Sequence, residues 1–181
     1  MSQAPPPRDR LMLVGTRNAV GLARLHTADV LSRWGVHPDS IETVKLLVSE
    51  LTTNAVRCLN MGQEESPPYS EHNTTQTFEL ALEITNGAIR ASVWDRDSRP
   101  PILKQVGVDA TGGRGLFIVA AMSRRWGSYP VCGLPGKVVW AEVPLVLVTH
   151  GRADISSDSP RLLQPARAVR PTRDAQVRPD L

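Results

Sequence analysis

Glu50 and Asn54 stand four residues apart in the stretch Leu47-Val48-Ser49-Glu50-Leu51-Thr52-Thr53-Asn54-Ala55-Val56-Arg57. On a helix that spacing puts the two side chains on one face, about 40° apart around the axis, where they can address one ligand. The carboxylate can accept a proton, and the carboxamide oxygen suits a hard cation such as Mg²⁺. The plainer reading is a pair of solvated polar residues beside a core. Asp95 emerges directly from the apolar run that ends in Val93-Trp94. A buried carboxylate must find donors or cost about 1 to 3 kcal/mol, and the exocyclic amino group of a purine is one such donor. A turn ahead of Pro100 is the alternative. Finally, Thr111-Gly112-Gly113-Arg114-Gly115-Leu116 sets small residues just before an apolar helical run. Glycines let backbone N–H groups approach a phosphate, the helix N-terminus adds partial positive charge, and Arg114 can add a charge-assisted contact. This is neither a Walker A loop nor a dinucleotide fingerprint. Gly136-Lys137 is followed by Val138 rather than Ser or Thr, and the glycines follow a G-G-x-G spacing outside any βαβ unit.

Three kinds of element have to position these groups. Leu22, Leu25, Val30 and Trp34 lie along a stretch that predicts a first helix over residues 17 to 34, ended by Gly35. Asp39 or Ser40 can cap a second helix, whose residues Ile41, Val44, Val48, Leu51, Ala55 and Cys58 recur every three or four positions as one buried stripe. After a polar loop from Asn60 to Thr77, Phe78, Leu80, Leu82 and Ile84 alternate, Asn86-Gly87 turns, and Ile89, Ala91 and Val93 alternate again, which predicts a β-hairpin. A helix over Leu116 to Met122 and strands over Ser128 to Val131 and Val138 to Val148 complete the pattern. The order reads as helices first, then a sheet with one helix inserted. The fold class expected is α+β: a two-layer α/β sandwich whose mixed, mostly antiparallel sheet is covered on one face by helices.

In this order, the Glu-x-x-x-Asn helix, the Asp after a strand, the Gly-rich turn before a helix and the segment Gly136-Lys137-Val138-Val139-Trp140-Ala141 resemble the Bergerat ATP-binding fold of gyrase, heat-shock chaperones and histidine kinases. Within it, the chain looks most like the short anti-sigma-factor serine kinases of bacteria, in particular the actinobacterial single-domain group. The resemblance covers roughly Arg17 to Pro144. It implies ATP and Mg²⁺ as ligands, with Glu50 as catalytic base and Asn54 holding the metal against the triphosphate. It also implies Asp95 accepting from the adenine amino group, and Gly112, Gly113, Arg114, Gly115 and Leu116 cradling the nucleotide under a lid formed by residues 96 to 111. The partners implied are a sigma factor and an anti-anti-sigma protein, with a homodimer left open. Two departures bear on the adenine side: Arg96-Asp97-Ser98-Arg99 stands where many relatives have glycines, and Val138 is read at a position where Thr often supports the adenine-bound water.

Composition sets the outer limits. The chain has 181 residues, 41% apolar and 22% charged, which suits one globular domain and excludes two large ones. The net charge of +3 is too weak to indicate a dedicated nucleic-acid binder. Residues 1 to 10 read as a flexible N-terminus, 11 to 150 as the ATP-binding domain, and 151 to 181 as a disordered tail with six Arg, four Asp and four Pro. No apolar run approaches a membrane span, no signal peptide is visible, and Cys58 and Cys132 are expected as free thiols, so the expected location is cytoplasmic. A sensor histidine kinase is not expected, since His26, His37, His72 and His150 lie on no long dimerisation helix. The leading function is an ATP-dependent serine/threonine kinase that also sequesters a sigma factor. The alternative is a nucleotide-responsive binding module with little or no turnover.

Overall fold

The computed structural model describes residues 5–60, 76–102 and 114–148. It runs β1 (Arg8–Val14), α1 (Ala19–Arg33), α2 (Pro38–Asn60), β2 (Thr77–Thr85), β3 (Ala88–Asp95), α3 (Gly115–Met122), β4 (Arg125–Pro130) and β5 (Lys137–Pro144). The strands form one sheet in the order β1-β2-β3-β5-β4, and every neighbouring pair is antiparallel. The α+β expectation holds, with the helices on one face.

The inner face of the sheet follows from strict alternation. Leu13, Phe78, Leu80, Leu82, Ile89, Ala91, Val93, Val139 and Ala141 all point into the core. Against them lies α2, whose Ile41, Val44, Val48, Leu51 and Ala55 are buried as the periodicity requires, together with Leu47 and Leu59. This helix packs on β3 and β5 and is flanked by α1 and α3. The outer face carries charge instead: Arg10 pairs with Glu79 at 3.2 Å, and Glu142 accepts from both Arg90 and Arg125. Arg90 also lies 4.6 Å above the ring of Trp140.

Some expectations are corrected. The chain opens with a strand, not a helix, and residues 8 to 10, read as part of a flexible N-terminus, belong to it. Leu11 and Leu13 take the inner face there, but Pro5, Pro6 and Pro7 and a continuous Leu11-Met12-Leu13-Val14 run conceal the period. The strand declares itself only through its partner β2, where Arg8 faces Glu83 and Leu13 faces Phe78. Helix α2 begins one residue before Asp39, at Pro38, and its first turn is capped from outside: the Asp39 N–H donates to His37 Nδ1 at 3.3 Å. Asn86 and Gly87 both have positive φ, 49° and 69°, as a tight I′ hairpin turn demands. The loop between Asn60 and Thr77 and the segment from 151 to 181 lie outside the described residues, apart from the loop's edges.

Candidate functional site

The C-terminal half of α2, the end of β3, the start of β5 and the start of α3 meet around a cavity of about 370 Å³, within the range of small-ligand sites. Asn54, Asp95, Gly115 and Leu116 line it. Glu50 stands at its margin: a Cβ on Gly115 would come 2.6 Å from Glu50 Oε2 and 3.7 Å from either Asn54 amide atom. Helix spacing thus brings Glu50 and Asn54 to one place, against the N-terminal residue of α3. Arg114 is the N-cap residue of that helix and is exposed, with no side-chain cap hydrogen bond. Gly112 and Gly113 lie outside the described residues.

Asp95 is where the carboxylate chemistry concentrates. It is 3% exposed and sits directly across the β3–β5 ladder from Lys137, itself 6% exposed. Lys137 Nζ donates to Asp95 Oδ1 at 2.7 Å, and the same oxygen accepts from the Asp97 N–H at 2.9 Å. Oδ2 accepts no hydrogen bond from a described residue. Burial pushes the Asp95 carboxyl upward from its ordinary range, opposed by the Lys137 ammonium and the Asp97 amide.

The loop beyond Asp95 is tied down rather than open. Arg99 donates to both Asp97 oxygens at 2.9 Å and holds that carboxyl well below the usual carboxylate range. Lys137 Nζ also donates to Asp97 O at 2.7 Å, and the Gly136 N–H donates to Ser98 Oγ at 2.9 Å. Gly136 has φ +115°, and a Cβ there would collide with the Asp95 carbonyl oxygen, so this crossing demands glycine. On the α2 side, the half-buried Cys58 thiol lines the same cavity as Asp97. Burial first, and then the influence of the Asp97 carboxylate, push its pKa up.

Two positions read differently from the sequence. Val138 faces Trp94 across the ladder, on the outer side of the sheet and away from Asp95. The residue beside Asp95 is Lys137, which alternation with Val139, Ala141 and Val143 already assigns to the inner face. Arg57 and Cys58 also line the cavity. Their three- and four-residue offsets from Asn54 are the signal that could have found them. Arg99, Pro100 and Pro101 join from the segment expected as a lid, whose remainder from 103 to 111 is outside the described residues.

Among the described residues, no group of three or more His, Cys, Asp or Glu could hold a metal ion. No helix there is long and apolar enough to cross a membrane, and both cysteines are free.

Residues 14–142 match the family model described as the histidine kinase-like ATPase domain. The chain is 30% identical over 115 residues to the serine-protein kinase RsbW of Staphylococcus aureus, as found in strains JH9 and Newman. That match takes in 57% of this chain and 67% of the relative. Among solved structures, the RsbU and RsbW domains of Rv1364c from Mycobacterium tuberculosis superpose with a TM-score of 0.53 at 22% identity. The superposition covers 79% of this chain but only 33% of that one, a likeness of fold.

Proposed function

Because the chain belongs to the histidine kinase-like ATPase domain family, we propose that it binds ATP with Mg²⁺ in this cavity and acts as an anti-sigma-factor serine/threonine protein kinase. The observation that carries the reading is convergence. Asn54, Asp95 and Gly115, from three separate parts of the chain, line one cavity, and Glu50 stands against Gly115. The similarity to RsbW, whose name denotes a serine-protein kinase, supports the transfer to a serine or threonine.

Each residue then has a task that its position permits. Asp95 Oδ2 accepts from the adenine amino group, while Val93 and Val139 supply apolar wall for the ring. Asn54 would hold Mg²⁺ through its carboxamide oxygen. One or two protein oxygens of this kind suit the usual habit of Mg²⁺. When bound, Mg²⁺ neutralises charge developing on the phosphates. Glu50 takes the proton of the attacking hydroxyl as that oxygen bonds to the γ-phosphorus and ADP departs. Gly112, Gly113, Arg114, Gly115 and Leu116 are the proposed phosphate-side cradle, with backbone N–H groups at the start of α3 facing the anion. The protein partners proposed are an anti-anti-sigma protein as substrate and a sigma factor as the sequestered ligand.

The test is incubation with Mg²⁺, radiolabelled ATP and candidate anti-anti-sigma proteins, using wild type and Glu50→Ala. Labelling of a hydroxyl residue by wild type, lost in the variant while ATP binding persists, supports the kinase reading. The fastening of residues 97 to 99 by Arg99, Ser98 and Lys137 favours a second reading, a nucleotide-responsive binding module. That reading predicts partner regulation unchanged in Glu50→Ala.

A further inference from the structure

We propose that Lys137 is the positioning residue of base recognition: by occupying Oδ1 of Asp95 it presents Oδ2 alone to the ligand, making the site select a purine that offers an amino donor over one that offers a carbonyl. The inference rests on the nucleotide reading above and deepens it. Its ground is geometry. Lys137 and Asp95 are cross-strand partners, the ammonium lies 2.7 Å from Oδ1, and the Asp97 N–H reaches the same oxygen. With both donors on one side, the carboxylate cannot rotate freely, and among the described residues none donates to its second oxygen. The same ammonium donates to Asp97 O, so it fixes the carboxylate and the start of the overlying loop together.

The charge of Lys137 also has a consequence for pH. Around Asp95 the ionisable groups are Lys137 on β5, Asp97 and Arg99 in the loop, and Arg57 and Cys58 on α2. Burial favours the neutral carboxylic acid, and Lys137 is the group that opposes it most strongly. Without the ammonium the acid form gains ground. A protonated Oδ2 would donate instead of accept, and so would suit a 6-oxo purine.

Calorimetric titration of the full chain with ADP and with GDP, from about pH 6 to about pH 8, tests this on wild type, Lys137→Met and Lys137→Arg. Wild type should prefer ADP at every pH, with a flat affinity profile. Lys137→Met should bind ADP about tenfold more weakly at neutral pH, weaken further as pH falls, and lose its preference over GDP in the same direction. Lys137→Arg should restore the flat profile. A Lys137→Met protein that keeps wild-type preference and profile overturns this inference alone, whereas wild type that binds neither nucleotide overturns the nucleotide reading itself. If circular dichroism shows Lys137→Met unfolded, the wild-type profile decides: a flat preference for ADP supports the proposal, and a slope through the neutral range overturns it.

Discussion

Gly115, the first residue of α3, faces Glu50 so closely that a methyl group on its Cα would sit 2.6 Å from Glu50 Oε2. The start of one helix and the proposed base on another can therefore approach this closely because glycine lacks a Cβ. Tolerance of a side chain at 115 depends on whether Glu50 can move, and as the far end of a flexible chain it can.

Gly115→Ala is accordingly expected to cost less than about 1 kcal/mol in stability, because a carboxylate can rotate away and alanine favours helix. Displacing that carboxylate should lower phosphoryl transfer about tenfold or more, in the range by which a positioned general base contributes. Chemical denaturation and single-turnover phosphorylation on the same preparation separate the two effects.

Gly136→Ala should behave oppositely. Its φ of +115° and the collision of a Cβ with the Asp95 carbonyl put strain into backbone that cannot swing away. A loss of about 2 to 3 kcal/mol is expected, with weakened ATP binding because the Asp95 strand end must shift. Gly87→Ala, with positive φ but nothing within 4 Å, serves as the control and should cost about 1 kcal/mol. Urea denaturation of both variants gives the comparison.

Asp95→Asn removes the proposed adenine acceptor and should weaken ATP binding by about 1 to 3 kcal/mol. It also takes the nearer carboxylate from the buried Lys137 ammonium, leaving only Asp97 at 3.9 Å. The variant should therefore melt lower than wild type, and affinity is to be measured by titration well below that transition.

Glu142 governs an acid-side transition. Burial alone would raise its pKa, but hydrogen bonds from Arg90 and Arg125 outweigh burial and hold it low. A carboxyl depressed in the folded state stabilises fully above its unfolded value, about 4.3, and loses that contribution as pH falls further through the folded value. Glu142→Gln should lose about 1 to 3 kcal/mol at neutral pH and show a shallower loss of stability below about pH 4. Urea midpoints measured against pH provide the check.

Cys58 offers a probe of the cavity. Its thiol is half-buried and pushed upward by burial and the Asp97 carboxylate, whereas Cys132 is exposed. Alkylation by iodoacetamide at neutral pH should modify Cys132 first, since the thiolate is the reacting form. ATP should slow labelling of Cys58 further and leave Cys132 unchanged, as read by peptide mass spectrometry.

The elements whose apolar period is strong could be read directly from the chain. The α2 stripe, the β2–β3 hairpin and the I′ turn at Asn86-Gly87 are local consequences of residue spacing. The pairing of Glu50 with Asn54 was legible for the same reason, since a four-residue step on a helix is a geometric fact. The edge strand β1 was not, because its exposed positions include the apolar Met12 and Val14, which blur the alternation that only the partner strand β2 reveals.

By itself, then, the sequence determined the helix that carries Glu50 and Asn54, the strand that delivers Asp95, and the helix that begins at Gly115. Only the tertiary structure decided that these face one cavity and which residue attends Asp95. The β3–β5 register puts Lys137, not Val138, opposite the carboxylate, and a register shift of one residue would reverse that choice. Strand pairing joins residues 42 positions apart, and no local spacing rule reaches so far. The buried ion pair, the glycine crossing at 136 and the fastened loop all follow from that single alignment.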